Sequence, residues 1–226
     1  MSGMIQFSCN GETYDGYLAR PATGTGKGVI VLQEWWGLVG HIKSVADRLS
    51  QAGFCALAPD LYGGKSTEEP DEAASLFQAL NIGETEQVLR CAIQRLLDAE
   101  STLGDKVGVV GFCMGGQLSL FAAATNPDQI GACVDFYGVH PNVHPPFEQL
   151  TAPVLGIFAE HDDYASPAAV AAMSAQLDAL GKPYEFHTFP GTGHAFFNDD
   201  RPAVFNPDAA EAAWEKTVHF LSHNLR

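Results

Sequence analysis

The sequence is poor in positive charge. It holds 12 Lys and Arg residues against 27 Asp and Glu residues, which gives a formal net charge of −15 at pH 7. A field of this sign repels phosphate backbones and anionic lipid headgroups, so we expect neither nucleic acid nor a membrane surface as a partner. Hydrophobic residues make up 46% of the chain and charged residues only 17%, which is typical of a globular protein with a sizeable core.

Long apolar runs and targeting signals are also missing. No stretch reaches the ~18–20 unbroken apolar residues that a membrane-spanning helix needs. The first residues, Met-Ser-Gly-Met-Ile-Gln, have neither the basic nor the apolar segment of a secretory signal peptide. We therefore expect a cytoplasmic protein, and we expect it to be a monomer or a small homo-oligomer.

The five cysteines do not follow the spacing of a disulfide framework or a zinc site. They are scattered, odd in number and without a C-x-x-C pair. We interpret four of them as small core hydrophobes: Cys9, Cys55, Cys91 and Cys133. His140 and His144 have the spacing of a helical metal pair, but prolines at 141, 145 and 146 disfavour a helix there. No metal site is predicted.

Short apolar runs alternate with longer segments of helical periodicity. The candidate strands cover 5–9, 14–19, 28–33, 54–58, 107–112, 132–136, 153–159 and 184–189, and the candidate helices cover 41–52, 71–79, 84–100, 114–124, 167–180 and 207–223. Several of the strands are near-continuous aliphatic runs, as expected for parallel strands covered by helices on both faces. The alternation predicts one α/β domain over 1–226, with a mostly parallel, doubly wound sheet of about eight strands flanked by helices.

Local signals mark the ends of several elements. Asn-Gly at 10–11 predicts a tight turn between the first two strands, which would form an edge hairpin. Ser-Pro at 166–167 and Asn-Pro at 206–207 each combine a helix N-cap residue with a proline in the first turn. Gly53 and Gly181 are predicted to end two helices.

The segment 111–116, Gly-Phe-Cys-Met-Gly-Gly, lies between an aliphatic strand and a helix rich in small residues. This is the pattern G-x-nucleophile-x-G, in which glycines allow the strand and the helix to approach closely around a strained turn. The N-terminal end of the helix would favour the thiolate of Cys113. The alternative is a buried cysteine in a glycine-rich turn of an ordinary α/β protein.

A nucleophile of this kind requires a general base and a group that orients the base. In this architecture the chain order is nucleophile, acid and histidine, each after a strand. Asp162 and Asp163 follow the strand at 153–159, and His194 follows the strand at 184–189. The order favours His194 as the base, while the spacing leaves Asp162 and Asp163 both open as the acid.

An acidic residue follows the first buried strand, in the segment 33–37, Gln-Glu-Trp-Trp-Gly. The loop at this place supplies a backbone N–H group of the oxyanion hole, where negative charge is unfavourable. An acidic residue at this place has a physical role if the carboxylate of Glu34 lies against the thiol of Cys113 and controls the protonation of that thiol. The alternative is that Glu34 caps the following helix.

With these segments in view, the chain resembles the dienelactone hydrolase family of α/β-hydrolases. The resemblance spans nearly the whole chain and rests on six segments: 33–37, 56–62 (Ala-Leu-Ala-Pro-Asp-Leu-Tyr), 111–116, 136–138 (Phe-Tyr-Gly), 159–162 (Ala-Glu-His-Asp) and 193–196 (Gly-His-Ala-Phe).

The resemblance implies a Cys113, His194 and Asp162 triad that opens a lactone or ester through a thioester on the cysteine. It implies that Glu34 pairs with the resting thiol and is displaced when substrate binds. It also implies that the backbone N–H groups of Trp35 and Met114 form the oxyanion hole. No metal or organic cofactor is required, and the expected partner is a small-molecule lactone or ester.

The chain departs from the family where the substrate carboxylate would bind. Two positions that resemble sites of arginine in members acting on dienelactone hold Pro70 and Asn198, and Arg201 is the possible substitute. Losing a bidentate arginine weakens carboxylate recognition. The alternative function is therefore a carboxylesterase or thioesterase acting on a different ester.

Further substrate contacts are predicted from aromatic side chains near the motifs. An apolar pocket would be lined by Trp35, Trp36, Tyr137 and Phe196, although core packing is the common alternative for aromatic residues near a motif. Asn198 is a further predicted substrate contact. A peroxide-sensing role for Cys113 would need a resolving cysteine nearby, and none is adjacent in sequence.

Overall fold

Strands and helices alternate along residues 2–138 and 142–225, which are the residues that the computed structural model describes. The strands are β1 (Ser2–Cys9), β2 (Glu12–Ala19), β3 (Gly26–Leu32), β4 (Phe54–Pro59), β5 (Thr102–Phe112), β6 (Ile130–Phe136), β7 (Val154–His161) and β8 (Tyr184–Gly193). The α-helices are α1 (Gly40–Gln51), α2 (Pro70–Ala79), α3 (Ile82–Leu97), α4 (Met114–Thr125), α5 (Pro167–Ala179) and α6 (Pro207–Asn224).

All eight strands form one sheet in the order β1-β2-β4-β3-β5-β6-β7-β8. β1 and β2 are antiparallel to each other, β2 is antiparallel to β4, and the remaining pairs are parallel. The predicted α/β class and mostly parallel sheet are confirmed. Because β5 lies in the middle of the order, the residues that follow its carboxyl end are flanked by loops from both halves of the sheet.

The core forms where the helices cover the aliphatic strands. β4 is buried along its whole length, and β3 is buried except at Lys27. α1 packs on β4, α3 and α4 pack on β5, and α6 packs on β6. α1 and α6 also meet, since the guanidinium of Arg48 lies 4.3 Å from the ring centroid of Trp214.

The predicted signals at the ends of elements are confirmed. Cys9 pairs with Glu12, so residues 10 and 11 form a two-residue hairpin turn, with φ of 55° and 86°. The side chains of Ser166 and Asn206 accept hydrogen bonds from backbone N–H groups in the first turns of α5 and α6. Gly53 and Gly181 follow the ends of α1 and α5 with positive φ.

Several predicted boundaries were wrong: β1 begins at Ser2 rather than at 5, and β8 ends at Gly193 rather than at 189. β5 begins at Thr102 rather than at 107. The sequence pattern missed its first residues because they are largely exposed and carry no aliphatic run. α3 covers Ile82–Leu97 rather than 84–100, because Asn81 caps it by accepting hydrogen bonds from Gly83 N and Glu84 N.

The interpretation of four cysteines as unpaired core residues was wrong for two of them. Cys9 and Cys91 form a disulfide with a Cα–Cα distance of 5.7 Å. Their separation of 82 residues gives no local signal, and they meet because α3 packs against β1. Cys55 and Cys133 are free and buried, as predicted.

A helix that crosses a bilayer combines a length matching the bilayer's thickness with high hydropathy. Within the described residues, none of the helices is both long enough and apolar enough to span one.

Candidate active site

Cys113 occupies a sharp turn between β5 and α4. Its backbone has φ 54° and ψ −118°, a conformation that is strained for a residue with a side chain. The turn is held by hydrogen bonds from Cys113 N to the carbonyl of Phe136 (3.0 Å) and from Gly116 N to the carbonyl of Cys113 (2.9 Å). The side chain stays partly exposed. This is the geometry in which a nucleophile is presented at the carboxyl end of a sheet.

The glycines around Cys113 are required by close contacts. A Cβ at Gly111 would collide with the carbonyl of Gly115, and a Cβ at Gly115 would collide with the backbone of Leu32 and Gln33 at the end of β3. The spacing of the motif therefore reflects the approach of α4 to two strands.

Asp162 and His194 meet across the loops that follow β7 and β8. His194 Nδ1 lies 2.8 Å from Asp162 Oδ2. The other oxygen, Asp162 Oδ1, accepts hydrogen bonds from Tyr164 N (2.8 Å) and Ala165 N (2.9 Å). Asp162 is buried and Asp163 is exposed. Of the two candidate acids, Asp162 is the one that the structure places against the histidine.

The electrostatics of this pair favour an ion pair. Burial acts to raise the pKa of Asp162, but the hydrogen bond and charge of His194 and the two backbone N–H groups lower it overall. Burial acts to lower the pKa of His194, but its hydrogen bonds to Asp162 and Cys113 and their charges raise it to about 10. His194 therefore interacts with the carboxylate on one side and with the cysteine on the other.

Two tyrosine rings enclose the imidazole of His194. The ring centroid of Tyr137 lies 5.0 Å away and that of Tyr164 lies 4.9 Å away. Tyr137 is fully buried, whereas Tyr164 is 68% exposed. Tyr164 was not predicted from the sequence. The usable signal was its position two residues after Asp162, and in the structure the backbone N–H group of Tyr164 donates to Asp162.

Glu34 is a buried carboxylate at the end of β3, with 1% exposure. Its Oε2 accepts a hydrogen bond from Asn198 Nδ2 at 2.6 Å, and its Oε1 lies 3.5 Å from the donating hydroxyl of Tyr137. The helix-cap alternative was wrong, since the N-cap of α1 is Val39 and has no side-chain hydrogen bond. The structure therefore groups Glu34, Tyr137 and Asn198 beside His194.

Trp35 and Met114, the predicted oxyanion-hole residues, follow the ends of β3 and β5, which are neighbouring parallel strands. Their chain positions thus bring both residues to the same edge of the sheet. Trp35 is partly exposed and Met114 is buried.

The predicted substrate contacts divide into two groups. Trp36, Asn198 and Arg201 line a cavity of about 440 Å³, and the guanidinium of Arg201 lies 4.2 Å from the ring centroid of Trp36. Phe196 is fully buried and packs against Phe189 and Tyr137, which is the core-packing alternative. Pro70 is the first residue of α2 and is exposed.

His, Cys, Asp and Glu side chains occur throughout the described ranges, 2–138 and 142–225. Within them, no group of three or more His, Cys, Asp or Glu residues is arranged to hold a metal ion. His140 lies outside the described residues.

A mostly parallel eight-stranded sheet, with a cysteine on a strained turn after its central strand and an Asp–His pair after two later strands, defines a protein of the α/β-hydrolase fold. The family model described as the dienelactone hydrolase family matches residues 14–225. The chain therefore belongs to the dienelactone hydrolase family and is an enzyme of the hydrolase class.

Individual proteins show the same similarity over their full length. "Protein usf" of Aquifex pyrophilus is 36% identical over 231 residues, which cover 100% of both chains. The protein of Aquifex aeolicus (strain VF5) named "Putative carboxymethylenebutenolidase" is 32% identical over 232 residues, again 100% of both. The crystal structure of the "Putative Dienelactone Hydrolase" from Klebsiella pneumoniae subsp. pneumoniae MGH 78578 has a TM-score of 0.88 and 27% identity, over 98% of each chain.

Proposed function

We propose that this protein hydrolyses carboxylic esters and lactones by nucleophilic catalysis, with Cys113 as the nucleophile, His194 as the general acid and base, and Asp162 as the residue that orients His194. The observation that carries the proposal is the 2.8 Å hydrogen bond from His194 Nδ1 to Asp162 Oδ2, which leaves the other ring nitrogen available for the cysteine. The strained turn at Cys113 presents the sulfur toward the same edge of the sheet.

The reaction has two steps. Cys113 passes its thiol proton to His194 and its sulfur attacks the carbonyl carbon; the C–O bond to the alcohol breaks, and His194 gives the proton to the leaving oxygen. In a lactone that oxygen stays attached to the acyl chain. Water then attacks the thioester and gives a proton to His194, the C–S bond breaks, and His194 returns the proton to the sulfur, which releases the acid and restores the thiol. The backbone N–H groups of Trp35 and Met114 stabilise the oxyanion in both steps.

Glu34 is assigned a supporting role in this scheme. It pairs with the resting Cys113 thiol and moves away when substrate binds. Its hydrogen bonds to Asn198 and Tyr137 support the displaced position, because they satisfy a carboxylate that is 1% exposed.

Removing the side chain of the proposed nucleophile or of the proposed base tests the assignment. We expect Cys113→Ala and His194→Ala to lower kcat/KM for a 4-nitrophenyl ester at least about a thousandfold, because the members of a triad act as a unit. Cys133→Ala, at a buried free cysteine, is the matched control and should keep kcat/KM near the wild-type value. Circular dichroism checks that each variant is folded. Activity that survives in a folded Cys113→Ala protein would contradict the proposal.

Dienelactone itself carries a carboxylate, and a specific observation favours a different ester as the substrate. The two positions where the resemblance places arginines hold Pro70 and Asn198, and Asn198 is engaged with Glu34. Arg201 is the cation that lines the adjoining cavity. The second candidate function is therefore a carboxylesterase or thioesterase acting on uncharged substrates.

Arg201 separates the two candidates. If it binds a substrate carboxylate, Arg201→Gln lowers kcat/KM about tenfold or more for a carboxylate-bearing lactone and leaves its neutral methyl ester unaffected. If the substrate is uncharged, as we expect, wild type prefers the neutral ester and Arg201→Gln changes both values by less than about threefold. Lys43→Gln on α1 is the charge-matched control.

A further inference from the structure

A cavity of about 660 Å³, which Tyr62 helps to line, plays no part in the scheme above. Its walls come from the β1–β2 hairpin, the loop after β4, the end of α2 and the first turns of α3. The volume falls within the range of about 300–1,000 Å³ that is usual for small-molecule sites.

The walls of this cavity are fixed by covalent and hydrogen bonds. The Cys9–Cys91 disulfide joins the hairpin to α3, and Cys9 pairs in the sheet with Glu12, a lining residue. In the loop after β4, the carboxylate of Asp60 accepts hydrogen bonds from Tyr62 N (2.9 Å) and Gly64 N (2.6 Å). The cavity is therefore a built feature of the fold and not a gap between mobile segments.

Tyr62 connects the cavity with the nucleophile. Its ring lines the cavity, and its hydroxyl donates a hydrogen bond to Met114 Sδ at 3.4 Å, in the residue that follows Cys113. Burial raises the pKa of Tyr62, and the charge of Cys113 raises it further. The half-buried Tyr62 side chain thus contacts both the cavity and Met114, the residue that follows the proposed nucleophile.

The strand order shows which part of a substrate would enter. His194 follows β8 and gives its proton to the leaving alcohol, so the alcohol lies on the β8 side of Cys113. Tyr62 follows β4, which lies on the other side of β5 in the sheet. A chain that extends past Tyr62 is therefore the acyl chain.

The lining selects against negative charge. It holds three carboxylates and one ammonium group: Glu12, Asp60, Glu84 and Lys65. The remaining side chains of the lining are those of leucine, alanine, valine and tyrosine residues together with the uncharged polar residues Asn81, Thr85 and Gln87. An anionic acyl group would meet like charge, whereas an uncharged chain would cover apolar surface.

We infer that this cavity is the acyl-chain subsite of the enzyme, that it takes uncharged and largely apolar acyl groups, and that Tyr62 is a specificity-determining residue at its entrance. The inference rests on the proposed function, since it requires acyl transfer to Cys113.

A chain-length series of 4-nitrophenyl esters, from acetyl to octanoyl with the anionic hemisuccinate added, tests the subsite. We expect kcat/KM to rise about two- to fourfold per added methylene and the hemisuccinate to be a poor substrate. Ala79→Trp, at the rim of the cavity, should lower kcat/KM for the octanoyl ester at least about tenfold and leave the acetyl ester unchanged. Ala172→Trp, on the exposed face of α5, is the matched control and should change neither.

A second variant keeps the test independent of Ala79. Tyr62→Ala removes the ring and should increase the ratio of octanoyl to acetyl kcat/KM several-fold. A flat chain-length series, with both variants like wild type and with hydrolysis dependent on Cys113, would overturn the subsite and leave the proposed function standing. Ester hydrolysis that is absent, or that persists in folded Cys113→Ala protein, would overturn the proposed function and the subsite with it.

Discussion

At the scale of single residues, His194 carries the charge on which the site depends. Its pKa of about 10 in the folded chain exceeds the ordinary value of 6.5, because Asp162 and Cys113 outweigh the effect of burial. Between these two pH values the folded protein holds a proton that the unfolded chain has lost. The contribution of protonated His194 to the stability of the folded protein is therefore complete below about pH 6.5 and is lost as the pH rises through about 10.

The same proton gives a pH dependence of activity. For an alkyl ester such as ethyl butanoate, whose alkoxide needs protonation to leave, kcat/KM should fall as the pH rises through about 10. Asp162→Asn removes a charge that raises the pKa of His194, so the alkaline limb should move to lower pH. Titration of acid release in a pH-stat gives both profiles. An alkaline limb at the same pH in both proteins would contradict the role given to Asp162.

Glu34 shows what sequence reasoning at this scale misses. The residue was recognised as unusual from its place after a buried strand, but its hydrogen-bond partner Asn198 lies 164 residues away. From the sequence, Asn198 was predicted as a substrate contact at a position where an arginine is missing, and not as a partner of Glu34. That its amide binds the buried carboxylate depends on the packing of the loop after β8 against the end of β3, for which one sequence gives no signal.

At the scale of elements, the nucleophile turn depends on the contact between α4 and the end of β3. Gly115 lies where a Cβ would press into the backbone of Leu32 and Gln33, and backbone cannot move away as a flexible side chain can. The motif that identified Cys113 is thus also a packing requirement.

Gly115→Ala tests this requirement. We expect the free energy of unfolding in urea to fall by about 3 kcal/mol, because overpacking against backbone forces a shift of the strand or the helix. Gly3→Ala, in the edge strand β1 where a Cβ meets nothing within 4 Å, is the matched control and should change stability by less than about 0.5 kcal/mol. Equal stability of the two variants would contradict a close approach of α4 to the backbone of Leu32 and Gln33.

At the scale of the whole molecule, the Cys9–Cys91 disulfide is the one covalent cross-link among the described residues, and it closes a long loop of the chain. Its sequence separation of 82 residues spans β2 to β4 and the first two helices. Cross-links across long loops stabilise chiefly by restricting the unfolded chain, typically by about 2–4 kcal/mol.

The double variant Cys9→Ala/Cys91→Ala should therefore unfold with about 2–4 kcal/mol less free energy than the oxidised wild type. Dithiothreitol should lower the urea midpoint of the wild type toward that of the variant and leave the variant unchanged. A wild-type midpoint that does not respond to reductant, with thiol titration confirming reduction, would contradict a stabilising role for the bond.

What the sequence predicted and what it missed follow from the range of the interactions. Aliphatic runs, the Asn10-Gly11 turn and the helix caps are local, and they predicted the sheet, its edge hairpin and most helix starts. The motif around Cys113 and the chain order of Asp162 and His194 located the candidate site. The disulfide, the Glu34–Asn198 bond and the cavity beside Tyr62 join distant segments, and they are visible only once the chain is folded.

The central claim is that Cys113 is acylated during turnover. The direct measurement is mass spectrometry of the enzyme after rapid acid quenching during hydrolysis of a slowly turning over ester, followed by peptide mapping. The account predicts an added mass equal to the acyl group on the peptide that contains Cys113, released by hydroxylamine and absent from Cys113→Ala. Rapid hydrolysis with no acyl adduct, or an adduct on another residue, would contradict it.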